Sequence, residues 1–312
     1  MSPLALPSTG ARSPALRGPF WLASAIVAWS IVVVLKGAMV TSTGSGLAFS
    51  DWPLSDGQVM PERSLTTVPG FLEHFHRLTA LLLGTLALAL CVWLWRSRAA
   101  SRAQRRAAFG GGLLILVQGG VGGLGVLLKL SLVTSVAHGV GAQLTVAVFA
   151  VLAYMLSRQW QAAANAPVTV ASTGGARWLA RAAVVLLLLQ TLLGAIARHA
   201  NDTQALWTHV GNALLVFVVL VIAAGTATGR IGHVPLVRVL ARTLLLLLLL
   251  QLVLGFMALL VRTGKQPQNV DHLWRSALIS MHVLVGALLT ATAALLWAHI
   301  ARLRALAVEA RA

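Results

Sequence analysis

Four histidines stand at similar positions near the starts of apolar stretches, where their side chains could do metal chemistry. They are His76, His138, His209 and His282. Ionisable side chains inside a membrane are costly and usually functional. Imidazoles at one depth on neighbouring parallel helices can ligate an iron porphyrin from both faces. We therefore predict two ligand pairs, His76 with His138 and His209 with His282.

Other roles for these imidazoles stay open at this point. Any single one could be a hydrogen-bonded packing residue. A zinc or copper centre would need three or four converging ligands, which a pairing across the halves of the chain could supply. A proton-relay transporter would use histidines and a carboxylate without haem. Solvated or interfacial positions are predicted for His199, His233, His272 and His299.

The elements that carry the four histidines are predicted to be membrane helices. Of the 312 residues, 58% are apolar and 10% charged, which excludes a water-soluble domain. Eight apolar runs are long enough to cross a bilayer, and none alternates as a barrel strand would. The runs are Trp21–Val40, Phe71–Trp95, Ala107–Leu128, Val136–Leu156, Trp178–Ala197, Leu206–Thr226, Val239–Val261 and Ala277–Ile300. We predict an all-α integral membrane protein with eight transmembrane helices.

The charges predict the orientation of these helices. The net charge is +17, from 24 Lys and Arg against 7 Asp and Glu. The basic residues lie in short strips between the apolar runs, so they indicate topology rather than nucleic-acid binding, and their excess on one side places both termini in the cytoplasm. Lys36 inside the first run is expected to snorkel to the interface or to line a cavity. A cleaved signal peptide is the alternative for this run, although it is long for one.

The chain also repeats itself, which predicts two duplicated four-helix units. Matching residues lie at offsets of 133, 144 and 157; they are His76 with His209, Gln118 with Gln251, Gly122 with Gly255, Lys129 with Arg262, His138 with His282, and Gly37 with Gly194. The predicted divisions are a cytoplasmic leader 1–20, a first unit 21–156 with a long outer loop 41–70, a linker and helix start 157–181, a second unit 178–301 and a cytoplasmic tail 302–312. The recurring Gln-x-x-x-Gly spacing, also present at Gln190 and Gly194, is interpreted as a close helix contact.

The two predicted units differ beside their histidines. Glu73 lies three residues before His76, on the same helical face, and Leu206 takes its place in the second unit. Glu73 suits proton transfer as a general acid or base, or could form a salt bridge with Arg77. Arg77 could instead hold a haem propionate. Only the first unit has the long outer loop, so only one site has both a carboxylate and a cover.

These residues resemble the haem A synthase family. The motifs are KGAMVTSTGSGLAFSDWPLSDGQ (36–58), EHFHR (73–77), AHGVGA (137–142), THVGNA (208–213) and MHVLVGA (281–287). The resemblance implies that His209 and His282 hold a permanent haem B, while His76 and His138, with Arg77, bind the substrate haem O near Glu73. It also implies two successive hydroxylations of the methyl at ring position 8, giving a formyl group for cytochrome oxidase.

The resemblance further implies a bacterial-type cytoplasmic membrane, with the site towards the outer face. Expected partners are haem O, membrane lipid, haem O synthase and a quinol or other electron donor. One departure concerns cysteine: many relatives carry a pair in the first outer loop, whereas this loop has none and Ser55 follows WPL. Cys91 is the sole cysteine, so no intramolecular disulfide can form. The alternative function is a di-haem b-type cytochrome that relays electrons from quinol.

Overall fold

A computed structural model describes residues 14–200, 202–263 and 272–310. Within these residues the chain consists of helices joined by loops. An isolated β-bridge joins Ser55 and Gln58 in the first loop. The helices are α1 Pro14–Ser42, α2 Arg63–Thr66, α3 Val68–Arg96, α4 Arg102–Leu127, α5 Leu132–Met155, α6 Arg158–Ala162, α7 Val170–Ala200, α8 Thr203–Ile231, α9 Pro235–Thr263 and α10 His272–Glu309.

Eight of these helices are long and apolar enough to cross a membrane, which confirms the predicted all-α fold of eight spans. Each helix begins before its apolar run, and all but α4 and α5 also end beyond it. Hydropathy marks the segment in lipid, whereas helical hydrogen bonding continues into the polar region. The largest difference is at the carboxyl end, where α10 continues to Glu309 through most of the expected tail 302–312. Much of the leader, and residues 264–271 between α9 and α10, lie outside the described residues.

Each predicted unit has its own apolar core. Buried side chains of α1, α3, α4 and α5 form one cluster, which includes Ile26, Leu90 and Phe149. Those of α7, α8, α9 and α10 form another, around Leu220 and Leu296. The linker between the units contains α6 and a 3-10 turn over Ala163–Asn165.

A third cluster lies between the units, where α10 packs against α1 and α5. It is rich in small side chains, among them Ala147 and Ala150 on α5 and Ala287 and Ala291 on α10. Small residues let transmembrane helices approach closely, and dispersion contacts then hold them together. This interface joins the two histidine-bearing units.

Candidate functional site

Helix caps set the depth of three of the four histidines. The side chains of Thr67, Ser131 and Asp202 accept hydrogen bonds from the first backbone N–H groups of α3, α5 and α8. His76, His138 and His209 follow these caps by nine, seven and seven residues. At 1.5 Å of rise per residue, each imidazole stands about two turns inside the end of its helix. We call the end of the bundle that carries loop 41–70 the outer end.

The structure brings the four histidines together in the two predicted pairs. The ring centroids of His76 and His138 are 6.5 Å apart, with the planes at 89°. Those of His209 and His282 are 6.3 Å apart, at 90°. Because a metal–imidazole bond is about 2 Å long, two rings on opposite sides of one ion need centroids roughly 6 Å apart. Both pairs therefore have the spacing that two axial ligands of a haem iron require.

Each imidazole lies against a glycine of a neighbouring helix. A Cβ atom on Gly37 would lie 2.8 Å from Cε1 of His76, and one on Gly194 would lie 2.8 Å from Cε1 of His209. The corresponding distance is 3.0 Å for Gly122 with His138 and for Gly255 with His282. The glycine of each Gln-x-x-x-Gly segment thus lies at a close helix contact, as expected. Its neighbour there is a histidine ring of the adjacent helix rather than that helix's backbone.

Backbone carbonyls on the same turns orient two of the rings. Nδ1 of His138 donates to the carbonyl of Gln118 at 3.2 Å, and Nδ1 of His209 donates to the carbonyl of Gln190 at 3.2 Å. A carbonyl can only accept, so Nδ1 must carry the proton and Nε2 presents its lone pair to a metal. Nδ1 of His76 and Nδ1 of His282 are buried without a hydrogen bond. The ring of His282 instead approaches the side-chain amide of Gln251, at 3.4 Å.

We predict that alanine at Gly194 displaces the His209 ring and weakens haem binding by roughly 10- to 100-fold, the range for residues that orient a metal ligand. Haem content per polypeptide, measured on the purified protein, tests this. Gly225→Ala on α8, the helix that carries His209, is the control, because a Cβ there meets nothing within 4 Å. Alanine favours a helix over glycine, so neither substitution should destabilise the helix itself. Equal haem content in the two variants would contradict a role for the Gly194–His209 contact.

Glu73, beside the first pair, is tied to the outer loop. Its side chain is 3% exposed, and its Oε2 accepts the backbone N–H of Phe49 at 3.1 Å. Its Oε1 pairs with the Arg77 guanidinium one turn along α3. The salt bridge considered from the sequence is therefore present, and the carboxylate has a fixed position.

Arg77 extends this attachment. Its guanidinium donates to the backbone carbonyls of Asp51 at 2.8 Å, Leu54 at 2.7 Å and Phe49 at 3.3 Å. An arginine has five N–H donors in a fixed fork, which lets one side chain hold several points of a loop. Binding of a haem propionate by Arg77 stays a prediction, since in this structure its donors serve the loop and Glu73.

A second contact fixes the same loop through His74. Nδ1 of His74 hydrogen-bonds to Oγ of Ser55 at 3.0 Å, and both side chains are buried. Ser55 is the residue that stands where a cysteine follows WPL in the resembled family. In this chain that position therefore joins the loop to α3 without a thiol.

The loop also has internal contacts that shape its turn. The Asp51 carboxylate accepts the backbone N–H groups of Asp56 and Gly57, both at 2.8 Å. These bonds, that of Gly57 foremost, hold the pKa of Asp51 below its usual range. The Trp52 ring lies against Gly123 of α4, so the loop covers the outer ends of both α3 and α4.

Among the described residues, the second pair has neither a carboxylate at the position of Glu73 nor a covering loop. Leu206, Trp207 and Val210 occupy the positions of Glu73, His74 and Arg77 in the aligned repeat. The connection between α7 and α8 spans only residues 201–202, compared with the long loop 41–70. The two pairs therefore share their ring spacing and glycine contacts but differ in what surrounds them.

The contacts of three residues were not predicted from the sequence. His299, expected at an interface, is 2% exposed, and its Nδ1 hydrogen-bonds to the Tyr154 hydroxyl at 2.6 Å. The Lys36 ammonium lies over the rings of Phe71 and Phe75. Arg198 reaches from the second unit to the first. The spacing of Phe71 and Phe75, four residues apart, was a pattern that could have predicted the Lys36 contact. Contacts between distant helices leave no pattern in a single sequence.

The described ranges contain no group of three or more His, Cys, Asp or Glu side chains placed to hold a metal ion. These residues therefore do not provide the three or four such ligands that a zinc or copper centre would need. What the geometry does provide is two sites with two imidazoles each. That donor set fits an iron whose remaining ligands come from a porphyrin.

Fold and site together define a multi-pass helical membrane protein with two paired-histidine sites. A family model, COX15-CtaA, described as cytochrome oxidase assembly protein, matches residues 20–212, more than half of the chain. The chain belongs to this family.

Several relatives named "Heme A synthase" share parts of the chain. That of Geobacillus kaustophilus is 26% identical over 235 residues, covering 68% of this chain and 72% of the relative. That of Symbiobacterium thermophilum is 31% identical over 179 residues, covering 56% and 57%. That of Alkalihalophilus pseudofirmus is 33% identical over 93 residues, covering 30% and 31%. The matches to the last two thus span less than two thirds of those relatives.

Proposed function

We propose that this protein is a haem A synthase that oxidises a methyl group of haem O to a formyl group. The observation that carries the proposal is the difference between the two sites. The two histidine pairs have similar spacing, but within residues 14–200, 202–263 and 272–310 only His76–His138 lies beside a buried carboxylate and a covering loop. Membership of a cytochrome oxidase assembly family and relatives named for haem A synthesis support it.

We assign a different haem to each pair. His209 and His282 hold haem B as the resident cofactor, which supplies one-electron transfer that a polypeptide alone cannot provide. His76 and His138 bind haem O as the substrate. In support, the first pair lies under loop 41–70, and long outer loops commonly control access to a site.

Within the substrate site, Glu73 is proposed as the acid–base group. Its position three residues before His76 puts both side chains on one face of α3. Arg77 and the Phe49 N–H hold the carboxylate in place, so it needs no rearrangement before it takes a proton from the reacting group. Arg77 and His74 keep the loop attached while this occurs.

The finer chemistry follows from the change in the substrate. A first hydroxylation of the ring-8 methyl gives a hydroxymethyl group, and a second gives a gem-diol. The diol then loses water to leave the aldehyde. The formyl product carries one oxygen atom more and two hydrogen atoms fewer than the methyl group, so the methyl carbon loses four electrons, two in each hydroxylation. With dioxygen as the oxidant, each hydroxylation consumes one O2, two electrons from the donor and two protons, puts one oxygen atom into a C–H bond and releases one water.

The setting of this reaction is also part of the proposal. The distribution of Lys and Arg supports a cytoplasmic membrane location with both termini in the cytoplasm and the two sites near the outer face. Haem O would arrive from haem O synthase, and a quinol or another donor would supply electrons.

The test is to express the protein in cells that make haem O but lack their own haem A synthesis. Extracted haems are separated and weighed by mass spectrometry. We expect bound haem B together with a haem that has the mass and aldehyde reactivity of haem A. A purified protein that contains haem B and leaves haem O unchanged would contradict the proposal and favour an electron-relaying cytochrome.

A further inference from the structure

Arg198 lies between the two units at their outer ends. It stands in the last turn of α7, four residues after Gly194, which lies against the His209 ring. Four residues advance a helix by about 6 Å and return to nearly the same face. The Arg198 side chain therefore starts about one turn further out than the His209–His282 pair.

The contacts of Arg198 leave most of its donors for another group. Its Nη2 donates to the Ala38 carbonyl at 3.0 Å and to Oγ of Ser42 at 2.6 Å, both on α1. Ser42 in turn hydrogen-bonds to Ser280 on α10. Within the described ranges, Nε and Nη1 of Arg198 make no hydrogen bond.

No carboxylate of the described residues neutralises Arg198. The guanidinium lies close enough to His282 and to Arg262 for electrostatic interaction. Across residues 14–200, 202–263 and 272–310, the ion pairs join Arg63 to Asp56 and Arg77 to Glu73, so Arg198 has no carboxylate partner there. A partly buried cation is unfavourable unless an anion pairs with it.

We propose that Arg198 binds a propionate carboxylate of the haem held by His209 and His282. The inference rests on the proposed function, which puts haem B in this unit. A haem carries two propionate carboxylates on one edge of its ring, and guanidinium pairs with carboxylate bidentately. Arg262, at the outer end of α9, supplies a second positive charge on the same side.

The aligned repeat shows that this arrangement belongs to one unit. Arg262 corresponds to Lys129 in the first unit, so a basic residue is present at that position in both. Arg198 corresponds to Thr41, which is uncharged and donates to the Gly37 carbonyl of its own helix. At this one position the second unit therefore has a cation where the first unit has a neutral side chain.

A purely structural role is the competing explanation, since Arg198 also links α7 to Ala38 and Ser42 of α1. Glutamine at position 198 can still donate a hydrogen bond but has no charge, whereas lysine keeps the charge. Ser42→Ala removes one link and leaves the charge in place. These three variants separate the two roles.

The experiment measures haem retention and midpoint potential of the purified holoprotein for Arg198→Gln, Arg198→Lys and Ser42→Ala. We expect Arg198→Gln to lower haem affinity about tenfold and to lower the midpoint potential. Without the cation the negative charge of the propionate is unscreened, and this charge favours the oxidised over the reduced haem. If haem affinity falls tenfold more in the reduced than in the oxidised state, the midpoint potential falls by about 59 mV. Arg198→Lys should recover most of both values, and Ser42→Ala should change neither.

Arg105→Gln is the matched control. Arg105 is also partly buried and donates to a backbone carbonyl, that of Ser97, but it lies at the opposite end of the bundle. Unchanged retention and potential in Arg198→Gln would overturn the inference, as would equal effects of Ser42→Ala. A change confined to bound haem O would overturn it too. If the parent protein bound no haem B, the proposed function itself would fail, which is a distinct result.

Discussion

Replacing Glu73 with glutamine is expected to stop formation of formyl haem while haem B stays bound. Glutamine has nearly the shape of glutamate and can still accept the Phe49 N–H, but it cannot take up a proton at neutral pH. Loss of a general acid or base lowers a rate by about 100-fold or more. The haem A to haem O ratio in extracts, together with the Soret absorbance of the purified variant, measures the two effects separately.

Glu62→Gln is the matched control for this change. Glu62 is an exposed carboxylate in the same outer loop whose side chain makes no capping bond to α2. It should leave the rate unchanged. If Glu73→Gln makes haem A at the parent rate, Glu73 only anchors the loop, and another group must move the proton. A protein that merely relayed electrons should also show little change.

The second large effect concerns the ligands. His209→Ala should lose the stably bound haem absorbance, whereas His76→Ala should largely retain it and fail to process haem O. Removing an iron ligand is expected to weaken binding by more than roughly 100-fold, the upper end of what loss of a ligand's hydrogen-bonding partner costs. Soret absorbance per polypeptide after purification is the measurement.

His233→Ala controls for the loss of a histidine as such. His233 is exposed and bonds to the Pro167 carbonyl, away from both pairs. The reverse pattern, with haem lost from His76→Ala and kept by His209→Ala, would exchange the assignment of the two sites. A colourless parent protein, produced with ample haem, would remove the basis for both.

The sequence predicted the membrane helices well, because they depend on patterns within one stretch of chain. It also indicated which histidines lie together, whereas their role as haem ligands stays a prediction. Apolar length defines a transmembrane helix whatever its neighbours are. The pairing of His209 with His282 followed from depth and from the internal repeat, and the measured ring spacing agrees with it. The duplication behind the repeat and the cytoplasmic location of the termini stay predictions.

Contacts between distant segments were beyond the sequence. Arg198 was counted as one of several outer cations, yet it bonds to Ala38, 160 residues away. His299 near the end of a span looked interfacial, although packing against α5 buries it beside Tyr154. Hydropathy defines which segments lie in the membrane but not which face of each helix meets a neighbour.

The glycines beside the imidazoles limit how this chain can diverge. At Gly37, Gly122, Gly194 and Gly255 even a methyl group would come within 2.8 to 3.0 Å of a histidine ring. A descendant could keep all four histidines and still lose a site through one such substitution. Eight positions, taken as four glycine–histidine couples, are therefore a stricter criterion than four histidines for deciding which homologous genes still encode both sites.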